Sequence, residues 1–165
     1  MGFLKAIDAL NERVGKIFSP VLLVMIVLAF SEVVLRYFFS RPTTWVWEIN
    51  SQLMVLVCAL GAGWALRDNS HISVDIVYKR LSRRKRAIVD LITSPFFFLL
   101  AGSLVFFGAK EALRAYEVNQ RMLSQFASPL WPVKTVIVIG AVLILLQGVV
   151  KLIRDLRIVL GREEV

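Results

Sequence analysis

One cysteine, one histidine and five prolines are all that this chain of 165 residues carries of three residue types on which much protein chemistry depends. Cys58 alone cannot form an intramolecular disulfide, which excludes a thiol oxidoreductase built on cysteine pairs. His71 is equally alone. A di-haem four-helix cytochrome needs axial ligands inside its helices, and a Cys/His metal centre needs companions that the chain does not supply. There is no Gly-rich phosphate loop and no Ser/His/Asp constellation, so neither an enzyme nor a resident cofactor or metal is expected. Charge is scarce too, at 19% of residues against roughly 25% in ordinary soluble domains.

What the chain has instead is hydrocarbon. Residues are 58% hydrophobic, mean hydropathy is +0.71, and the apolar residues fall into four blocks at about 17–39, 46–66, 87–109 and 133–153. Each is about 20 residues, which at 1.5 Å per residue matches a bilayer core of roughly 30 Å. The pattern predicts an all-α integral membrane protein with four transmembrane helices in a single membrane domain over 1–165. Little chain remains for anything soluble.

The net charge of +8 could suggest nucleic acid, but its distribution is better explained by a membrane. Lys5, Arg13 and Lys16 precede the first block; Arg67, Lys79, Arg80 and Arg83 to Arg86 fall in the loop 67–86; Lys151, Arg154, Arg157 and Arg162 follow the last. These 14 share one side, against 6 on the other, so the positive-inside rule puts both termini in the cytoplasm. Arg83 to Arg86 then read as an anchor on anionic phospholipid, with no nucleic-acid partner.

At the N-terminus, Phe3, Ile7, Leu10, Val14 and Ile17 recur at helical spacing, while Lys5, Asp8, Asn11, Glu12 and Lys16 occupy the other face. The spacing predicts an amphipathic interfacial helix over about 2–16 that turns into the first span near Ser19 and Pro20. The acidic residues and the lack of a small-x-small cleavage site argue for a retained segment rather than a signal peptide.

Polar side chains inside the spans are few and costly, so each needs a reason. Glu32 and Arg36 lie one turn apart on the first span; Glu48 and Gln52, four apart on the antiparallel second, reach similar depths. Together they predict a polar cluster in the periplasmic half. It would act as an ion or proton site or, as the reading favoured here, as a lock between helices. Nothing in the cytoplasmic halves completes a proton path, since Asp90 near the surface is nearly the only ionisable residue there. Small residues continue the second span's face at Ala59 and Gly63, and Gly140 and Gly148 flank Gln147 in the fourth, so close helix contacts are expected. The phenylalanines of the third span suit lipid or packing. Trp45, Trp47, Trp64 and Trp131 fall near the span ends, as interfacial belts require.

Residues 40–45, with Pro42, predict a tight periplasmic hairpin. The periplasmic segment 110–132 is longer, and its apolar spacing predicts that the third helix continues out of the membrane until Pro129 and Pro132 interrupt it. On such a helix Arg114 and Arg121 would share a face, with Lys110 and Arg41 nearby, which makes them candidates for docking a periplasmic protein. In the cytoplasmic loop, Val74, Val77, Tyr78 and Leu81 predict a short surface helix. His71 and Asp75 are one turn apart there, suited to holding the loop by local hydrogen bonds.

The stretch from Trp64 through Arg67 and His71 to Asp75, with Trp45-Val-Trp-Glu48 upstream, the Gly61-Ala-Gly63 step and the four-span layout, resembles the small membrane subunit of tripartite ATP-independent periplasmic (TRAP) transporters, the DctQ family. The resemblance covers most of the chain. It implies a bacterial inner-membrane protein whose partners are a large membrane subunit and a periplasmic substrate-binding protein. The complex would take up organic acids, of C4-dicarboxylate or sialic-acid type, on a sodium gradient. In that family the substrate and sodium sites are associated with the large subunit, so none is assigned here. The rival reading is a self-sufficient, proton-coupled exporter of the small four-helix type, with Glu32 alternating between a proton and a cationic drug. A non-transport membrane assembly factor is a third. The interfacial helix, the helical loop and the periplasmic extension suit a docking subunit better than a minimal exporter.

Overall fold

The computed structural model describes residues 2–68 and 82–161, and within them the regular elements are helices joined by non-helical turns at 39–45 and 118–130. The helices are α1 (Gly2–Phe18), α2 (Val21–Phe38), α3 (Val46–Arg67), α4 (Arg83–Glu117) and α5 (Trp131–Val159). Four helical segments, the first being α1 and α2 together, are long and apolar enough to cross a membrane. The predicted surface helix of 67–86, with His71 and Asp75, lies outside the described residues.

Helix α5 is the centre of the assembly. It packs along α4 on one side and α3 on the other; α2 leans on α3, and α1 lies across α3 and α5. The closest helix contacts are made at small residues, with Leu60 and Leu143 among the few large apolar residues buried beside them. A Cβ at Gly140 of α5 would collide with the backbone carbonyl of Ala59 on α3, so only glycine permits this approach. In a bilayer, where lipid is as apolar as leucine, such close van der Waals packing replaces the hydrophobic effect as the force that associates helices. One strip faces α4 as well, for Gly148 seats the ring of Phe97.

The outer surface is correspondingly apolar. Helix α2 has no buried residue, and Leu23, Val27, Phe30 and Phe38 are exposed, as are Phe96, Phe106 and Phe107 on α4. This is the inverse of a soluble bundle and is what contact with lipid or other membrane helices requires.

Pro95 interrupts α4 without ending it. Proline has no N–H to offer the carbonyl of Leu91 four residues earlier, and the hydroxyl of Ser94 donates to that oxygen instead, at 2.8 Å. A neighbouring side chain thus satisfies a backbone group that lipid could not.

The third span does continue past the apolar block, but only to Glu117. Asn119 adopts a left-handed conformation, φ 46°. Its N–H bonds to Tyr116 O at 3.1 Å and that of Gln120 to Ala115 O at 2.9 Å. Those two bonds form a Schellman cap, with asparagine in the position glycine usually takes. The expectation of a longer helix therefore fails at Asn119, ten residues before Pro129. The chain then doubles back: Met122 N–H bonds to Ser128 O and Leu130 N–H to Gln120 O, each at 3.0 Å, with Arg121 and Pro129 paired as an isolated antiparallel bridge.

Candidate functional site

Both ends of the bundle are held by polar networks, and they differ in kind. At the hairpin end, where 39–45 joins α2 to α3 and 118–130 joins α4 to α5, the residues expected as one cluster divide into two by their hydrogen bonds. Glu32 pairs with Arg36 one turn on, Nη2 to Oε1 at 2.9 Å, and accepts bonds from Thr43 through its backbone N–H, 3.2 Å to Oε2, and its hydroxyl. That carboxylate ties the end of α2 to the turn that follows. Ser40, at φ 51°, reverses the chain so that Thr43 can reach back.

Glu48 belongs to the second set. It is buried, 3% exposed, in the first turn of α3, where the helix macrodipole favours negative charge. Its oxygens accept the N–H of Ser128 at 2.8 Å and the hydroxyls of Ser128 and Ser124. Gln52, one turn along, donates its Nε2 to the Ser128 hydroxyl. The doubled-back segment 118–130 is thus clamped onto the start of α3. Sequence reasoning paired Glu48 and Gln52 with Arg36 and Glu32 by depth alone. Their bonds go to Ser124 and Ser128, which lie 76 and 80 residues on. The signal available was the short Ser-Gln-Phe-Ala-Ser-Pro run, which reads as a turn with free hydroxyls.

The basic residues of this end are spread out. Arg41 lies exposed in the α2–α3 turn. Lys110 Nζ stands 4.3 Å from the Phe106 ring centroid, a cation–π contact within one turn of α4. Arg114 is 3.9 Å from Glu111, which is also bonded by Lys134 at 3.1 Å. Because α4 ends at Glu117, Arg121 is not on the helical face of Arg114; it sits in the doubled-back segment, its guanidinium 3.5 Å from Ala127 O. The shared arginine face expected from the sequence does not form.

At the opposite end, where α3 and α5 finish and α4 begins, Arg67 Nη1 meets Glu12 Oε2 of α1 at 2.6 Å, and Glu12 also takes Lys16 at 2.5 Å. Deeper in, α1 presents the face that an amphipathic reading leaves to water. Asn11 is fully buried and Asp8 is 9% exposed, while Phe3 and Ile17 are 67% and 68% exposed. Asn11 Nδ2 donates to Gln147 Oε1 at 2.9 Å, Gln147 Nε2 donates to Asp8 Oδ1 at 2.9 Å, and Arg154 pairs with Asp8 Oδ2. Helix α1 thus turns Asp8 and Asn11 of its polar side, together with Ile7 and Gly15, toward the protein, and leaves Phe3, Leu10 and Ile17 with Lys5 and Lys16 to the surroundings. Gly63 makes room for this, because a Cβ there would fall inside the Asn11 amide. Asp8, Asn11, Gln147 and Arg154 were not recognised as one network from the sequence; the one available hint was Gln147 between Gly140 and Gly148.

Between α4 and α5 at this same end lies a cavity of about 110 Å³, lined by Asp90, Thr93, Ser94, Lys151 and Asp155 among others. Lys151 Nζ pairs with Asp90 Oδ2 at 3.0 Å. Sequence reasoning recognised only Asp90 here. Among the described residues no group of three or more His, Cys, Asp or Glu is arranged to hold a metal ion.

Four helical segments able to cross a membrane, tied to one another by polar networks at both ends, define a helical membrane-protein bundle. A family model described as "Tripartite ATP-independent periplasmic transporters, DctQ component" matches residues 25–158. The chain belongs to that family, the small permease subunits of TRAP transporters, and is an inner-membrane protein. Two Haemophilus influenzae proteins bearing the name of TRAP transporter small permease protein are similar to it. One is 32% identical over 84 residues, 51% of this chain and 52% of that protein; the other is 29% identical over 111 residues, 67% of each. The chain thus spans about half the length of the first and two thirds of the second.

Proposed function

We propose that this subunit widens and anchors the static part of a TRAP permease, scaffolding a large membrane subunit for sodium-coupled uptake of an organic acid delivered by a periplasmic binding protein. Membership of the DctQ family over residues 25–158 carries the reading. The polar networks support it: Glu32 is engaged by Arg36 and Thr43, Glu48 by Ser124 and Ser128 and Asp8 by Gln147 and Arg154. Each links two segments of the chain, as a lock should, and together they form no file of groups from one end of the bundle to the other. In this reading both termini are cytoplasmic, the hairpin end faces the periplasm, and C4-dicarboxylate and sialic-acid types remain the substrate classes to test.

The experiment separates assembly from transport. Glu48→Gln, which replaces a charged acceptor of three hydrogen bonds by a neutral one, and Glu32→Gln should lower recovery of the complex with the large subunit. Transport per recovered complex in proteoliposomes should change much less. If Glu32→Gln assembled normally but abolished uptake and shifted its pH dependence, a coupling role for that carboxylate would replace the scaffold reading. A homodimer conferring cation resistance without a large partner would instead support the exporter.

A further inference from the structure

Asp155 is the buried ionisable group that the networks above leave over. It is only 9% exposed, lines the cavity between α4 and α5, and makes no hydrogen bond or ion pair with any described residue. The cation beside it is committed, since Lys151 bonds to Asp90. A carboxylate removed from water, with the neighbouring lysine bonded to another carboxylate, is costly unless something neutralises it. The cavity has room for that: about 110 Å³, where liquid water occupies about 30 Å³ per molecule.

The shape of the lining selects the class of cation. A bare metal ion asks for several oxygen ligands, and no such group is arranged among the described residues. The walls are instead mixed: Thr93 and Ser94 contribute hydroxyls, while Phe97, Phe98 and Leu152 contribute aromatic and aliphatic surface. That combination fits a small organic ammonium, with methylene carbons against the apolar wall and N–H donors on the carboxylate and hydroxyls. The depth selects its source. Asp90 lies seven residues into α4 and Asp155 four before the end of α5, so both are within roughly two turns, about 10 Å, of the helix ends, where headgroups meet acyl chains. Arg84 reaches Val159 O at 3.4 Å, one turn beyond Asp155, and so brings a guanidinium to the mouth where a phosphate would lie.

We propose that this cavity binds the headgroup of phosphatidylethanolamine, with its primary ammonium on Asp155 and its phosphate toward the basic start of α4. The primary amine is the discriminating feature. Each N-methylation removes a donor and adds bulk in a cavity already bounded by ring carbons, so affinity falls along the series from phosphatidylethanolamine to phosphatidylcholine.

The test is native mass spectrometry of the full-length protein, delipidated in detergent and offered equimolar mixtures of phosphatidylethanolamine, its mono- and dimethyl derivatives and phosphatidylcholine, all with identical acyl chains. The wild-type chain should retain phosphatidylethanolamine over phosphatidylcholine by roughly tenfold, the scale of one charge-assisted hydrogen bond. Asp155→Asn should lose that preference, and Asp155→Glu should keep most of it. A flat methylation series in the wild-type protein overturns the proposal, and this arm requires no variant to fold. So does an unchanged preference in a folded Asp155→Asn. If free phosphoethanolamine displaced the lipid at equal concentration, the ligand would be a soluble amine and the lipid assignment would fall. A flat series together with loss of the large subunit on Asp155→Asn would give the carboxylate to a basic side chain of a protein partner instead.

Discussion

Two glycines of α3, two residues apart, allow the packing of α1 through Asn11 to be tested against an internal control. At Gly61 an added Cβ meets nothing within 4 Å, whereas at Gly63 it would fall inside the Asn11 amide and 2.8 Å from Asn11 Cγ. Gly61→Ala and Gly63→Ala both gain the helix propensity of alanine over glycine, about 0.8–1 kcal/mol, so that contribution cancels in the comparison. What remains is the collision. Asn11 cannot rotate away freely, because its Nδ2 is bonded to Gln147 Oε1 at 2.9 Å and to Ile7 O at 3.2 Å, and overpacking of a held side chain costs about 1–3 kcal/mol. Gly63→Ala should therefore melt roughly 2–12 °C below Gly61→Ala, at roughly 2–4 °C per kcal/mol for a chain of this size. Thermal unfolding of the purified protein in detergent gives the comparison, and a spin label at Lys5 gives the location, because only Gly63→Ala should mobilise α1. Asn11→Ala in the Gly63→Ala background should recover part of the loss, since it removes the atoms that collide while both hydrogen bonds of Asn11 are already compromised. Equal melting of the two glycine variants, or no recovery in the double variant, would refute the close approach of α1 to α3 and with it the inward placement of Asn11.

The orientation in the membrane can be checked with the single native thiol removed by Cys58→Ser: a cysteine at Ser124 should react with an impermeant maleimide from outside the cell and one at Ser82 should not, and labelling at Ser82 alone would reverse the topology. For binding-protein docking, Arg114→Glu and Arg121→Glu together should raise the binding-protein concentration needed for half-maximal uptake, more so at low salt because rim charges chiefly set encounter rates, with complex recovery unchanged; an unaltered concentration dependence at low and moderate salt would move docking onto the large subunit.

The parts of this fold that were legible in the sequence are those the bilayer itself imposes. Spans of about 20 apolar residues are demanded by hydrocarbon thickness, and small residues at Ala59, Gly140 and Gly148 are demanded by helices that must touch without a hydrophobic effect to drive them. Both are one-dimensional signals. Hydrogen-bond partners are not: Glu48 could be recognised as expensive in a membrane, but nothing in its spacing points to Ser128, 80 residues on. Depth matching put Glu48 beside Arg36 because it knows how far along a helix a residue lies and not which way it faces. The doubled-back segment turned on Asn119, a residue that propensity treats as a weak helix former and that becomes decisive only in the left-handed position of a cap.

The amphipathic helix α1 forms as its spacing predicts, and what spacing leaves open has a more general reason. Amphipathic periodicity identifies two faces correctly, and Phe3, Leu10 and Ile17 do share one, but it is silent on which face meets protein until the solvent is specified. Water assigns the apolar face inward. Here Ile7 is buried with Asp8, Asn11 and Gly15, while Phe3 and Ile17 face out together with Lys5 and Lys16, so the side that meets protein takes residues from both faces. Asp8 and Asn11 could turn inward only because Gln147 and Arg154 are there to receive them; without those partners they would lie buried and unbonded, the arrangement that both water and lipid penalise. A sequence carrying the α1 pattern beside a final span lacking Gln147 and Arg154 should therefore place its N-terminal helix the other way round, polar face to water. Gln147→Leu with Arg154→Leu, in this chain, sets up that case: accessibility of a cysteine at Asn11 should rise and that of one at Phe3 should fall.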